Sequence, residues 1–474
     1  MSRFDSNIQV VKNELLTAVC HYAREGSLMQ NLHEIPKEIM PKGAHTARCC
    51  IYKGRAILSE RVALALTTKG AYDSVIEVID IACDDCPESG FEINKNCRGC
   101  LAHRCIDVCP KDAIEVVNKK AHINKDKCVD CGKCQAACPF SAVTNRVRPC
   151  EQACKIGAIS KSPTGEAQID RAKCISCGAC AYQCPFGAIS DRSFLTETIE
   201  LLEYQKQHGD RPVFALVAPT IASQCTEHSL TQVVAAIKQC GFHAVIEAAL
   251  GADIVADMEA REWAEAGFLT NSCCPAYVEY VERFFPELKQ HISHSPSPMV
   301  VMGRILKERH PDAKVVFIGP CTAKKVEFQK QAFKDAIDNV ITFEELQAVF
   351  DCYQIDFDHL DDSPLDQASY FGRIFARSGG LTTALNQAMI ENQLETSTLK
   401  PVICDGIEEC RMALLKASRG VLKENFIEGM ACVSGCIGGA GNVTHGPKER
   451  AQVDRYAAQA MEKKILDTIR IMKQ

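Results

Sequence analysis

The sequence predicts an α+β multidomain chain, from three observations. More than half of its 29 cysteines fall between residues 83 and 184, in a spaced repeat. Beyond about residue 196, apolar β-branched runs alternate with helical stretches, as in mostly parallel sheets covered by helices. Before residue 90, apolar residues keep helical spacing instead. The 474 residues suffice for two or three domains of ~100–200 residues each. At 46% hydrophobic and 24% charged, the composition is that of a globular protein. A net charge of −6 gives no overall attraction for nucleic acid. No run of ~18 apolar residues marks a membrane span, and MSRFDSNIQVV lacks a secretory apolar core. The expected location is cytoplasmic. A disulfide scaffold would be short and secreted, so thiols at this density read as metal ligands.

Residues 1–90 are expected to be mainly helical, from VVKNELLTAV and SERVALALTTKGAYDSVIEVI, with Pro36 and Pro41 breaking the run. Cys20, Cys49 and Cys50 show no ligand spacing and read as structural, whereas Cys83 and Cys86 form a CxxC. Residues 91–195 hold four repeat tails, CPKDAI, CPFSAV, CKIGAI and CPFGAI, starting at Cys109, Cys138, Cys154 and Cys184. Two copies are complete: Cys128, Cys131, Cys134, Cys138-Pro and Cys174, Cys177, Cys180, Cys184-Pro. This is the bacterial ferredoxin spacing, in which three cysteines hold one 4Fe–4S cluster and the fourth reaches to another. A first copy, Cys97, Cys100, Cys105, Cys109-Pro, has two extra residues in its loop, and a third keeps only Cys150 and Cys154. Isolated tetrahedral sets, as zinc needs, are not what this repeat offers.

Tail-to-head separations of 19 positions from Cys109 to Cys128, and 20 from Cys154 to Cys174, suggest three sets. They are Cys97, Cys100, Cys105 with Cys138; Cys128, Cys131, Cys134 with Cys109; and Cys174, Cys177, Cys180 with Cys154. Cys150 and Cys184 would then join Cys83 and Cys86 in a fourth. The alternative pairs the second and fourth copies directly and distributes Cys83, Cys86, Cys150 and Cys154 otherwise. Three, or on this count four, accessory 4Fe–4S clusters are expected.

From 196 to 474, VFALVAP, AKVVFIGP and LKPVICDG read as strands, and SLTQVVAAIKQCG and TFEELQAVFDCY as helices. Sites are built at the ends of such parallel strands. Four segments stand out there: NSCCPAY, GPCTAKKVEF, ARSGGLTTA and MACVSGCIGGAGN. Cys274, Cys321, Cys432 and Cys436 make one more set of four thiolates, enough for a cubane at a junction of lobes. Glycines after Cys436 let backbone approach a bulky inorganic group. Cys273, beside Cys274, is unexplained by that set.

These segments resemble the active-site motifs of iron-only (FeFe) hydrogenases, of rough form TSCCPxW, xPCTAKKxE and MACxxGCxxGGG. The resemblance covers the ferredoxin-like region and an α/β catalytic domain of two lobes at 196–474. It implies an H-cluster: a 4Fe–4S cubane joined through one cysteine sulfur to a two-iron subcluster with CO, cyanide and a bridging azadithiolate. Cys274, Cys321 and Cys432 would hold the cubane, and Cys436 would hold it and bridge. Cys273 would be the proton-shuttle thiol. Glu259, Ser293 and Glu262 would continue the path to solvent; the two glutamates, three apart, share a helix face. Lys324 would donate to a cyanide nitrogen, Thr220 to the other alongside Ala218 and Pro219, and Met430 would pack nearby.

Several positions depart from the family pattern: Ala276 and Tyr277 after CCP, Gly319 before PCTAKK, Met299 after Ser297-Pro298, and FARSGG at 375–380. They resemble the group B branch, and are expected to line the pocket. The implied activity is interconversion of H2 with two protons and two electrons in an anaerobe. Ferredoxin or a similar soluble carrier, and maturation proteins, are the expected partners. A low-turnover H2 sensor and a hydrogenase-like iron–sulfur assembly factor remain alternatives; Cys273 and Lys324 together argue against the last.

Overall fold

The computed structural model describes residues 3–43, 48–66, 70, 72, 74–84 and 86–473. The helix Asn7–Arg24 begins at a reciprocal cap between Ser6 and Gln9, which satisfies orphan backbone N–H groups. It packs on the helix Phe343–Cys352 of the C-terminal half. Cys20 is buried beside Cys352, while Cys49 and Cys50 are exposed. The run SERVALALTTKGAYDSVIEVI is not one helix. Its helix ends at Ala65, and β1 (Ile76–Val78) follows. An apolar run this short does not distinguish helix from strand by period, and pairing with the strand Ile189–Asp191 decides it.

The cluster region is built of short strands: β1, β2 (Gly90–Ile93), β3 (Ile114–Val117), β4 (Lys120–Ile123), β5 (Val143–Arg146), β6 (Ile159–Lys161), β7 (Ala167–Ile169) and β8 (Ile189–Asp191). All pair antiparallel, β1 with β8, β2 with β5, β3 with β4 and β6 with β7. β1 therefore belongs with this region, ahead of the boundary expected at residue 90.

The C-terminal half holds two all-parallel sheets. In one, β9 (Val213–Val217), β10 (Ala244–Glu247), β12 (Lys314–Gly319) and β13 (Asn339–Thr342) run in the order β10-β9-β12-β13. In the other, β11 (Leu269–Thr270), β14 (Pro401–Asp405) and β15 (Phe426–Met430) run β11-β15-β14. VFALV is buried at every position, as a strand covered on both faces should be. The helix Ala248–Ala266 belongs at its start to one core and further along to the second, joining the lobes. Gly251 permits its crossing with Pro298–Arg309, since a Cβ there would meet Pro298 O at 2.3 Å.

A buried charge network ties the three regions together. Lys12 bridges Asp191 and Glu344, both at 2.6 Å, and Lys325 bridges Asp191 at 2.7 Å and Glu345 at 2.8 Å. Burial works against the Asp191 carboxylate, but the two ammonium groups outweigh it and hold its pKa well below the usual range. Among the described residues no helix is long and apolar enough to cross a membrane.

Candidate active site

Cys273 and Cys274 follow β11, and Cys274 takes the N-cap position of the helix Pro275–Phe284 with Pro275 at its first turn. Cys321 follows β12 through Pro320. Cys432 and Cys436 follow β15 in a turn where Ser434 and Gly435 both have positive φ. A Cβ on Gly435 would stand 2.8 Å from Ala376 O, so glycine is required there. Both sheets thus deliver cysteines from their strand C-termini to one junction.

Burial pushes the four thiols up, Cys321 to about 11 and Cys436 to about 12. Cys274 is raised by the same cause, and Cys432 well above its usual value. Neighbouring thiols add to this: Cys274 acts on Cys321, and Cys321, Cys274, Cys177 and Cys436 act on Cys432. Four close, part-buried thiols repel one another as thiolates, and bound metal cations remove that repulsion. Among the described residues no group of three or more His, Cys, Asp and Glu could hold a single metal ion. The donor set suits an iron–sulfur cluster, which takes its thiolates at separate corners.

A cavity of about 90 Å³ lies against these thiols. Cys273, Cys274, Cys321 and Cys436 line it, with Lys324 and Met430 as expected, and Ala218 and Pro219 on the β9 side. Thr220 does not line it, but its buried hydroxyl has no hydrogen-bond partner. The Ser297 hydroxyl beside the lining Pro298 and Met299 is likewise buried and unpartnered. Lys324 Nζ meets Glu327 Oε2 at 2.6 Å and donates to Cys273 O at 3.3 Å, so its charge is held at the cavity by a buried partner.

The expected pocket-lining departures divide. Met299, Phe375 and Ala376 do line the cavity. Ala276 and Tyr277 do not: both lie in an adjoining core, where Tyr277 bonds Thr270 Oγ1 at 2.7 Å and its ring covers Gly429. Phe317, which the sequence did not single out, lines the cavity instead. A Cβ on Gly319 would stand 2.6 Å from its ring, so that glycine makes room for it.

The shuttle residues form a graded path. Asn271 donates to Cys273 Sγ at 3.2 Å and is fixed by Gly429 on both sides. Its position two before Cys273, a buried amide at a strand end, was the signal available in the sequence. Glu259 is fully buried, and burial pushes its pKa up to about 8. It accepts from Ser272 N at 3.4 Å and acts on the Cys273 thiol, whose pKa burial raises well above the usual range. Ser293, beside Glu259, donates to Glu262 Oε2 at 2.6 Å, leaving Glu259 Oε2 without a hydrogen bond. Glu262 Oε1 accepts from His294 Nδ1 at 2.5 Å, and the His294 side chain is 87% exposed. His294 escaped the sequence reading because its partner lies 32 residues away.

The cluster region groups its cysteines in four sets. Cys105 lies beside Cys138 and Cys100, with Cys97 in the same small core. Cys109, Cys128, Cys131 and Cys134 share one cavity. Cys180 lies beside Cys177, Cys174 and Cys154. Cys83 and Cys184 act on both Cys86 and Cys150, so Cys184 sits with this fourth set and not with the second copy. The alternative pairing is therefore not what the fold brings together. The repeat tails have a physical basis: Ala113, Ala142, Ala158 and Ala188 each donate their N–H to the sulfur four residues earlier, at 3.2–3.4 Å. Such bonds orient a ligand sulfur and tune a cluster's potential.

The sets also have an order. Cys177 lies beside Cys321 and Cys432, and Thr322 Oγ1 donates to Ser176 O at 2.7 Å. Cys180 lies beside Cys150. Ser89, bonded to Glu151 beside Cys150, leads to Phe91, whose N–H meets Asp130 and whose ring covers Gly132. The Cys97 set lies at the far end of the β2–β5 pair, where Asn94 bonds Ser141 and Ala142.

A parallel-sheet domain that gathers four close thiols, reached by a row of further thiol sets, defines an iron–sulfur redox protein. The family model described as iron only hydrogenase large subunit, C-terminal domain, matches residues 211–440. A 4Fe-4S dicluster domain matches 91–139 and a 4Fe-4S binding domain 167–190. Iron hydrogenase 1 of Clostridium pasteurianum is 30% identical over 73% of this chain and 69% of its own length. The NADP-reducing hydrogenase subunit HndD of Solidesulfovibrio fructosivorans is 28% identical over 68% of this chain and 64% of its own. The cytosolic Fe-S cluster assembly factor NAR1 of Botryotinia fuckeliana is 32% identical over 26% of this chain and 25% of its own. The chain belongs to the iron-only hydrogenase family, whose members are oxidoreductases acting on H2.

Proposed function

We propose that this chain is an FeFe hydrogenase that interconverts H2 with two protons and two electrons. The observation that carries the reading is the position of Cys273. It is a buried thiol on the cavity wall, next to the proposed ligand Cys274, at the inner end of a polar path to water. Cys274, Cys321, Cys432 and Cys436 would hold the H-cluster, which when bound supplies the cleavage and formation of H2. Lys324 and the unpartnered hydroxyls of Thr220 and Ser297 would be the donors available to its small anionic ligands. Apolar side chains such as Met299, Phe317 and Met430 make the cavity wall mostly apolar.

Cys273 stays a neutral thiol and so has a proton to give. Glu259, with a pKa near 8, can both take and release one around neutral pH. Ser293 relays to Glu262, and the His294 imidazole, with two ring nitrogens, exchanges with water. Four 4Fe–4S clusters on the sets of Cys174, Cys83, Cys128 and Cys97, in that order outward, would carry electrons to a soluble carrier such as ferredoxin. Maturation proteins would install the two-iron unit.

The short match to NAR1 supports a second reading, an assembly factor. The proton path from Cys273 to His294 has no use in that role. The test is an infrared spectrum of the matured protein together with H2-dependent reduction of methyl viologen. Bands of bound CO and cyanide with turnover are expected. Loaded cubanes without those bands would favour the assembly factor, and bands with scarcely any turnover the sensor.

A further inference from the structure

The outermost thiol set carries the two-residue insertion that breaks the regular spacing, in the loop Cys100–Cys105. Leu101 in that loop is 98% exposed, far more than any other large apolar side chain near a thiol set. Lys95, Arg98 and Arg104 flank it in the same stretch of chain. Lys119 and Lys120 join them from the β3–β4 turn, on which Gly99 packs so tightly that a Cβ would meet Lys119 O at 2.3 Å. All five cations are exposed, and among the described residues none forms an ion pair.

Some cations nearer the other sets are paired, Arg146 with Glu92, Lys161 with Glu88 and Arg171 with Glu77, whereas exposed Lys127 and Lys133 beside the neighbouring Cys128 set form no ion pair among the described residues. Between residues 93 and 111 the one acid is Asp107. Across 91–139, nine Lys and Arg stand against six Asp and Glu, a net +3 in a chain of net −6. Folding gains nothing from an exposed leucine in a stretch of unpaired cations. An apolar centre within a charged rim is how protein interfaces are built, and the rim charge steers an oppositely charged partner.

We propose that this face, centred on Leu101, is the docking surface for an acidic one-electron carrier protein. The inference rests on the proposed function, because it assigns the electron port to the far end of the row of clusters. Docking here puts the carrier against the Cys97 set, with Phe140, also exposed, beside Cys138.

The test uses the cluster-loaded full chain and, as probe, a bacterial two-cluster ferredoxin of net negative charge. Binding is read by calorimetry and is independent of H2 turnover. Affinity should fall steeply with ionic strength. The double variant Lys119→Glu/Lys120→Glu should weaken binding about tenfold or more at low salt. Leu101→Asp should weaken it while leaving most of the salt dependence. Both variants should keep wild-type methyl viologen turnover and iron content. Unchanged ferredoxin affinity in both variants, or no binding by the wild type, overturns the surface. Normal binding without viologen turnover overturns the hydrogenase reading and leaves the surface standing.

Discussion

In the cluster arm, three cysteines of the Cys97, Cys128 and Cys174 sets sit within one short loop, and the fourth arrives from a hairpin away. Several of these thiols remain half-open to water, and Cys131 is exposed. At the junction of the catalytic lobes, Cys274, Cys321 and the Cys432–Cys436 turn come from three strand ends in two sheets, are likewise part-exposed, and stand against one largely apolar cavity. The arm builds its sites from local turn geometry, so one can be lost without the next. The lobes build theirs from tertiary packing, so every part of the fold is committed to it.

The strongest way to break this contrast is Cys321→Ala. It should abolish the CO and cyanide bands and all H2 turnover while electron-spin signals of the arm clusters persist. Retained infrared bands would remove Cys321 from the ligand set. Cys273→Ala should keep the bands and lower turnover by ~10²–10⁴-fold, the usual cost of a lost proton-transfer group. Cys273→Asp should restore part of it, and full activity in the alanine variant would make Cys273 a packing residue.

Within the arm, Cys100→Ser should lose about four of the roughly sixteen irons expected from four cubanes. Viologen turnover should stay and only ferredoxin-linked turnover should fall. A general loss of iron would show that the sets are not independent. The junction of the two regions is sharper: Asp191→Ala leaves Lys12 and Lys325 short of a buried partner and should cost about 3–5 kcal/mol, read in urea unfolding.

Glu259 offers a smaller, pH-dependent test. Its folded pKa of about 8 lies above the ordinary carboxylate value of 4.5, so the folded chain binds more protons than the unfolded one between those values. Its contribution to stability is therefore lost as pH rises from about 4.5 to 8. Glu259→Gln should remove that slope and make the protein more stable near pH 8, by no more than about 5 kcal/mol. Equal pH profiles for the two proteins would contradict the buried, protonated state. His294→Ala should have the smallest effect, a several-fold slowing that added imidazole restores.

The sequence by itself marked the ligand cysteines of the arm, because ligand spacing and the repeat tails act within one turn of chain, and it left two pairings of them open. It determined strands such as VFALV and AKVVFIG too, since a parallel strand buried on both faces must be apolar throughout. Motif resemblance placed Cys273, Glu259, Ser293 and Glu262 on one path. Only the tertiary structure decided that β1 pairs with β8, which of the two pairings Cys184 follows, that Tyr277 fills a core, and that Phe317 lines the cavity. Only it brought His294 to Glu262 and left Leu101 bare among cations. Those outcomes depend on which surfaces meet across long chain separations, and periodicity and spacing carry no record of that.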